Sequence, residues 1–509
     1  LLTLRLFYVL LSLASFPFLY AFLRRLAEPR VAMAALFFLA VMRWNWDEAR
    51  SAQPGIEAPL FLLAMLLFFL NGVQNRSPFS LVAAAIVASL GFYAYQSLKV
   101  LSLLLWALMA FERGRFPDNW RFPRWISWLA SLLPLLFALP LFHYLWVHHT
   151  LGKRESESFI LGKILQSHSL FPLFSSISGM ALMFNREGTS NPLHNLPGMR
   201  LLDDGTGVLF LLGLALAWKM RKERAGAYPL IGSVVMSLPG WLTFEPVPSH
   251  RYTGLMPFVV YFAALGGVGL YDAIRPAMKK NKVFLWGLVA VVLGAIAGQN
   301  AHTYFGLEAS NLQCQEAAGP EQTYIGRQIG QLEKEAPGRY RFFLDPFFQH
   351  NPTVAFLGYS AADRTAPFEV SDWAKGKMPR DKDSAVFLAQ DKSGVWFFLK
   401  TLFPHDVDGV FRGPDGQVDL FWDRVPVSDL QEMKEWRKGL EGIYIQSGLW
   451  TDPPMGSRLD PVINFASRED FPFDAPPPYR ARWSGRLQIK TSGNYQFIVL
   501  STDSAQLWL

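Results

Sequence analysis

Three ionisable side chains stand within four residues at the end of an apolar run: Asp47, Glu48 and Arg50. Charges at such a boundary either line a polar cavity, where function is the default reading, or form an ion pair in interfacial water. Lys99 follows Tyr93, Tyr95 and Gln96 at the end of another apolar run. A lysine there either binds an anionic group as a compact point charge or snorkels from an aromatic belt. Arg251 enters a further apolar run and would complete a basic clamp on an anion such as a phosphate. His194 and Asn195 offer donors and acceptors to a polar substrate, or else mark a turn, since "NP" and "LPG" around them are turn signals. Asp203 and Asp204 read as caps of the helix that follows, and His250 is a lone histidine. His148 and His149 are a poor chelating pair, because neighbours on a helix point about 100° apart. The single cysteine, Cys314, excludes a disulfide within the chain and a multi-cysteine metal site.

The elements that must position these groups are apolar. Of 509 residues, 51% are hydrophobic and only 17% charged, below the usual quarter for soluble domains. A bilayer core takes about 20 mostly apolar residues per helix, and about ten runs qualify. They centre on 4–23, 31–46, 56–73, 79–95, 97–111, 126–147, 205–220, 228–244, 254–272 and 283–301. The ninth run carries Gly266, Gly267 and Gly269, small residues that allow close helix packing. No internal repeat is visible, which disfavours a transporter built from paired halves.

Arg24, Arg25 and Arg30 follow the first run, and Arg76 the third. Arg113, Arg115, Arg121 and Arg124 follow the fifth. Lys219, Arg221, Lys222 and Arg224 follow the seventh, and Arg275, Lys279, Lys280 and Lys282 the ninth. Every second connection is basic, so those connections are expected in the cytoplasm. The net charge of +7 is thereby assigned to anionic lipid headgroups, and nucleic acid is not needed to explain it. The outer side then holds Asp47–Gly55, the turn near Tyr95, the long stretch 148–204, the turn Glu245–Tyr252 and everything after about residue 302. The 148–204 stretch is too long for a plain connector, and its apolar patches predict short helices along the outer membrane surface.

Several segments in order resemble the bacterial relatives of the protein O-mannosyltransferases, glycosyltransferase family 39 of the GT-C superfamily. They are "RLFYVLLSLASFPFLYAFLRRLAEPRVAMAALFFLAVMRW", the passage through Trp44, Arg50, Gly55, Ile56, Pro59, Leu60 and Phe61, and "GFYAYQSLKV". "NPLHNLPGMRLLDDGTGVLFLLGLALA" and the helix entry of Arg251, Gly254 and Pro257 complete the set, so that the likeness covers about 3–300. Asp47 and Glu48 depart from the family pattern. The resemblance implies an inverting transfer of a mannose-like or other hexose or pentose. The sugar would pass from a polyprenyl phosphate to a hydroxyl of a protein, lipid or polysaccharide acceptor on the outer face. It casts Arg50, Lys99 and Arg251 as donor phosphate contacts, and His194, Asn195 and Tyr95 as substrate contacts; Asp47 and Glu48 join these as candidate substrate contacts only from their place at the membrane boundary. No cofactor is required by this reading, although a divalent metal is compatible with it. The family's general base is an acidic residue in the first external loop. The chain begins inside an apolar run and ends inside a strand-like one, which reads as a piece lacking both ends. The base is therefore expected ahead of Leu1, and this piece is expected to be inactive.

Residues 302–430 predict a small extracytoplasmic α/β domain. "YRFFLD", "SAVFLAQ", "VWFFLKTLF" and "VDLFWDRV" read as strands, "GPDGQ" as a hairpin turn, and Ile325, Ile329 and Leu332 as one helix face. After a charged linker at 428–438, residues 439–509 alternate with period two around turn residues in "GLEGIYI", "RLDPVINF", "YRARWSGRL" and "SGNYQFIVLSTDSAQLWL". This set resembles a truncated PA-14 β-sandwich, which implies a glycan partner. Trp450, Trp483 and Trp508 are candidates to stack on a sugar. Thr502–Asp503–Ser504 offers one carboxylate where calcium favours several, so a calcium site is not expected.

The expected fold class is thus a multi-pass α-helical, GT-C-like membrane domain (1–301), followed by the α/β domain and the partial β-sandwich. The expected location is the bacterial inner membrane with the C-terminal domains outside. The alternative is a membrane-anchored glycan-binding or adhesion protein whose transferase-like half is inactive.

Overall fold

A computed structural model describes residues 2–116, 124–148, 160–243, 249–278, 281–374, 376–403, 405–433, 439–446, 453–465, 479–487, 489, 491–499, 501 and 505–507. His149, Trp450, Thr502, Asp503, Ser504 and Trp508 lie outside them. The chain divides into two compact units, Leu1–Ala318 and Gly319–Leu509.

The first unit is helical. In chain order it has α1 (Leu2–Leu26), α2 (Pro29–Val41), α3 (Arg43–Arg50), α4 (Glu57–Asn75), α5 (Pro78–Leu90), α6 (Leu101–Arg115) and α7 (Arg124–Val147). Then come α8 (Ile160–Ser167), α9 (Phe171–Met183), α10 (Asp204–Lys219), α11 (Arg224–Trp241), α12 (Met256–Ile274), α13 (Lys282–Ala301) and α14 (Leu312–Ala317). Short 3-10 turns at Pro54–Ile56, Gln96–Val100 and Ser249–Leu255 precede α4, α6 and α12. Among the described residues, five segments are long and apolar enough to cross a membrane: Leu2–Leu26, Pro54–Asn75, Trp125–Val147, Ser249–Ile274 and Lys282–Glu308. The chain is an integral membrane protein. The apolar helices α2 and α5 have 13 residues each. At 1.5 Å per residue each reaches about 20 Å, short of a bilayer core of about 30 Å.

Local chemistry sets the ends. Pro29 and Pro78 stand at the first turns of α2 and α5, where a missing N–H costs nothing. Asp203 caps α10 by accepting from the Thr206 backbone N–H at 2.8 Å. One expected helix, 31–46, is two. Met42 adopts extended backbone (φ −69°, ψ 118°) between α2 and α3. Two carbonyls near the C-terminus of α2 are taken over by side chains of α3: Asn45 Nδ2 donates to Leu39 O (3.3 Å) and Trp46 Nε1 to Ala40 O (2.8 Å). Side-chain hydrogen bonding thus stabilises the break that apolar periodicity misses.

Glycines set one helix crossing. A Cβ at Gly213 of α10 would lie 1.7 Å from Phe262 O of α12, and one at Gly266 of α12 would lie 2.0 Å from Leu209 O. The backbones approach that closely only because both residues lack a side chain. Gly267 faces nothing so close.

The second unit opens with α15 (Pro320–Glu335), which buries Ile325, Ile329 and Leu332. Its strands β1 (Tyr340–Leu344), β2 (Thr365–Pro367), β3 (Asp383–Ala389), β4 (Val407–Arg412) and β5 (Val418–Val425) form a mixed sheet in the order β2-β1-β3-β5-β4. The segment "VWFFLKTLF" is not a strand. Ser393–Leu402 is an α-helix that buries Val395, Phe398 and Leu399 and leaves Phe397 63% exposed, a 3.6-residue period hidden by the aromatic run. β6 (Leu440–Ile445), β7 (Gly456–Asp460) and β8 (Arg480–Ser484) form an antiparallel sheet in the order β7-β6-β8. Asp460 is its buried hub. It accepts from Tyr444 Oη, from Trp483 Nε1 at 2.8 Å and from Arg458 Nε at 2.5 Å. Trp483 is thereby tied into the sheet. Residues 491–499, expected as a strand, form none, and Tyr495, Ile498 and Val499 are exposed. A strand needs a neighbour for its backbone groups, and the described sheet ends at β8.

Candidate functional site

On α3, Arg43, Asp47 and Arg50 follow the i, i+4, i+7 spacing that puts them on one helix face. Arg43 and Asp47 are almost completely buried, whereas the Arg50 side chain is 39% exposed. Glu308, also buried, arrives from the far end of the unit on a π-helical turn, His302–Glu308, that continues α13. Its carboxylate bridges the two guanidiniums. Oε1 lies 3.0 Å from Arg50 Nη2, and Oε2 lies 3.3 Å from Arg43 Nη1. Asp47 stands 3.5 Å from Arg43 and 3.8 Å from Arg50. Burial, reinforced by the charge of Glu308, holds the Asp47 carboxyl well above the usual carboxylate range despite both arginines.

Arg43 also fastens the loop before α10. Its Nη1 donates to Asn195 Oδ1 (2.7 Å) and its Nη2 to Arg200 O (2.8 Å). Asn195 Nδ2 in turn donates to Thr189 O and Met199 O. The backbone N–H of Arg43 donates to Asn300 Oδ1 at 3.3 Å, and Asn300 Nδ2 donates to Asp203 Oδ2 at 2.7 Å. The loop before α10 and the end of α13 thus close on one arginine of α3. Cys314 Sγ lies 3.9 Å from Asn195 O, and burial pushes its thiol up to about 11, so it is no nucleophile.

Glu48 points to a different side of α3. It is fully buried, and His194 Nδ1 stands 3.5 Å from its Oε1. His194 stacks on His250 with ring centroids 4.8 Å apart. Beyond them lies a junction of the three 3-10 turns. Thr253 Oγ1 donates to Gly55 O at 2.7 Å, and a Cβ at Gly55 would meet His250 O at 3.1 Å and the Tyr95 ring at 3.6 Å. Lys99 and Arg251, both half-buried, ride on two of these turns, which pack together. The groups around Arg50 are Glu308, Asp47 and Tyr304, whose ring centroid lies 5.1 Å from the guanidinium.

Of the residues singled out from sequence, Asp47, Arg50 and Asn195 therefore meet in one network. Glu48 and His194 pair beside it, and Tyr95, Lys99 and Arg251 stand around the neighbouring turns. Sequence reasoning missed Arg43, although its i, i+4, i+7 relation to Asp47 and Arg50 was a usable signal. It also missed Glu308 and Asn300, for which no local signal exists.

A cavity of 530 Å³ adjoins this network. Leu6, Val9, Leu13 and Phe16 of α1 give it an apolar wall, and Arg5, Arg50 and Tyr304 also line it. Among the described residues, no three His, Cys, Asp or Glu side chains are arranged to hold a metal ion. Asp47 and Glu308 already face guanidiniums, which does not suit them to a divalent cation.

Residues 1–145 match the family described as dolichyl-phosphate-mannose-protein mannosyltransferase, and residues 436–509 match the PA14 domain. At the level of general class, the first match is to membrane glycosyltransferases. Among solved structures, the chain is similar to ArnT from Cupriavidus metallidurans in the apo state, with 14% identity, 84% of each chain covered and a TM-score of 0.49. For ArnT bound to undecaprenyl phosphate the figures are 14% identity, 82% of this chain, 83% of that chain and 0.46. The archaeal oligosaccharyltransferase AglB from Archaeoglobus fulgidus, in complex with an inhibitory peptide and a dolichol-phosphate, shows 12% identity and a TM-score of 0.40. That match covers 92% of this chain and 64% of that one. No curated protein sequence matches the chain.

Proposed function

We propose that the chain is a membrane glycosyltransferase that takes a sugar from a polyprenyl-phosphate donor and transfers it, with inversion, to an acceptor hydroxyl on the outer face. One observation carries the reading: an apolar cavity whose lining includes Arg50, a partly exposed guanidinium held at the edge of a buried ion network. An isoprenoid chain with an anionic head has that same division of apolar body and charged end. Arg5 lines the same cavity and supplies a second cation.

In the proposed reaction the acceptor oxygen attacks the anomeric carbon, and the bond from that carbon to the phosphate oxygen breaks. The phosphate leaves with the bonding electrons, and fixed cations stabilise its charge as it develops. Arg50 is the first such cation, and Lys99 and Arg251 are candidates for further contacts. His194, Asn195, Tyr95 and Glu48 are candidates for the sugar and acceptor side. The acceptor proton goes to an acidic group. Burial disfavours the charged form of Asp47, which faces two guanidiniums, and Glu308 is engaged by the same pair, so neither is assigned that role. The basic connections support an arrangement with their side in the cytoplasm and the parts at 302–430 and 439–509 outside, in a bacterial inner membrane. The PA14 match supports a glycan partner for the last part.

Binding of the donor lipid tests this reading without requiring the base. The full chain in lipid nanodiscs is titrated with undecaprenyl phosphate and with undecaprenol. Saturable binding of the phosphate form alone is expected. Equal binding of both lipids, or binding of neither, overturns the reading and leaves a membrane-anchored glycan-binding protein as the better account.

A further inference from the structure

Arg50 does not hold its closest carboxylate alone, and the reason is Arg43. Glu308 is buried and shared: Oε1 is 3.0 Å from Arg50, and Oε2 is 3.3 Å from Arg43. Asp47 is the remaining carboxyl that faces both guanidiniums, and burial beside Glu308 favours its neutral form. Two guanidiniums thus draw on one close carboxylate, Glu308, with Asp47 farther from each at 3.5 and 3.8 Å. Arg43 is too deeply buried to meet a ligand, and its other donors are spent on Asn195 and Arg200. Arg50, whose share of Glu308 is thereby reduced, is the partner that reaches the cavity.

We propose that Arg43 is a positioning residue for an anion site at Arg50: by sharing Glu308 it leaves Arg50 free to bind the phosphate headgroup of a lipid. This deepens the functional reading above and rests on it. With Arg43 absent, Glu308 and Arg50 form a closed one-to-one pair, and a phosphate must compete with a buried carboxylate for the same guanidinium. Removing Glu308 has the opposite effect. A purely architectural Arg43 predicts no such antagonism, because loss of either residue would only loosen the segments they join.

The test uses the full chain in nanodiscs and measures the affinity for undecaprenyl phosphate, with inorganic phosphate as competitor and undecaprenol as control. Arg43→Gln is expected to weaken binding by about tenfold or more, the scale of one charge-assisted contact. Glu308→Gln is expected to equal or exceed the wild type. The double variant Arg43→Gln/Glu308→Gln is expected to recover to within about threefold of it, since the carboxylate that competes for Arg50 is gone. Competition by inorganic phosphate identifies the headgroup as the ligand, and its failure overturns the assignment to a phosphate. Wild-type affinity in Arg43→Gln, or a double variant no better than Arg43→Gln, overturns the positioning role while the functional reading stands. If Arg43→Gln does not fold, Glu308→Gln alone decides, because weaker binding there contradicts the proposal. A wild type that binds no lipid phosphate removes the functional reading, and this inference with it.

Discussion

Arg50→Ala is the direct perturbation of the proposed donor site. The Arg50 side chain is 39% exposed, its guanidinium contacts Glu308 at 3.0 Å and stands 3.8 Å from Asp47, and the Tyr304 ring lies 5.1 Å away. A phosphate at about 4 Å from a unit charge gains about 4 kcal/mol at an effective permittivity near 20. Partial exposure and the competing Glu308 carboxylate reduce that to the range of a charge-assisted hydrogen bond, about 1.5–3 kcal/mol. The expected loss of affinity is therefore about 10- to 150-fold. Arg50→Lys keeps the charge without the planar fork and should fall between the two. The assay is titration of the nanodisc-embedded chain with undecaprenyl phosphate at two ionic strengths, with thermal unfolding as a check on the fold. Little change in stability is expected, because Glu308 keeps Arg43 and the lost pair is partly solvated. An Arg50→Ala protein that binds within about twofold of the wild type would refute the reasoning, since no screening consistent with this geometry makes the charge irrelevant.

Two further outcomes follow from the same geometry. Asp47 has a raised pKa, so in the folded chain it stays protonated above the pH near 4 at which an unfolded aspartate ionises, and its contribution to stability falls as pH rises through that window. Once it ionises, a second carboxylate competes for Arg50, so lipid phosphate affinity should decline as pH rises through the Asp47 titration in the wild type and stay flat in Asp47→Asn; equal profiles for both would contradict this. Gly213→Ala places a Cβ 1.7 Å from Phe262 O, and parting α10 from α12 should cost about 1–3 kcal/mol or more, read as a lower unfolding midpoint, whereas Gly287→Ala, with nothing within 4 Å, should be neutral or better.

What could be read from the sequence was local. Apolar runs and basic connections located the helices, because bilayer thickness and the energy of charges near lipid act on short windows. The same windows failed where hydrogen bonding rather than hydropathy decides. The break at Met42 depends on Asn45 and Trp46 reaching back to α2. Aromatic residues at 396–398 suggested a strand, although the burial of Val395, Phe398 and Leu399 follows a helix. At the site, Arg50 and Asp47 were legible because charged residues beside an apolar run stand out. Arg43 was legible in principle, three and four residues being the helical interval, but it sat inside an expected membrane helix and was passed over.

Glu308 was not legible at all, and that has a chemical consequence. The sequence offers Arg50 as a phosphate contact beside two carboxylates, Asp47 and Glu48, without showing which of them it meets. The folded chain sorts them. Glu48 turns aside to His194, Asp47 is driven toward its neutral form, and Arg43 adds a charge from the previous turn of the same helix. Glu308, the one carboxylate that remains fully engaged, comes 258 positions after Arg50 and is divided between two arginines. The anion-binding character assigned to Arg50 is thus a property of three-dimensional charge sharing, and it depends on where the π-helical turn after α13 sets Glu308 down.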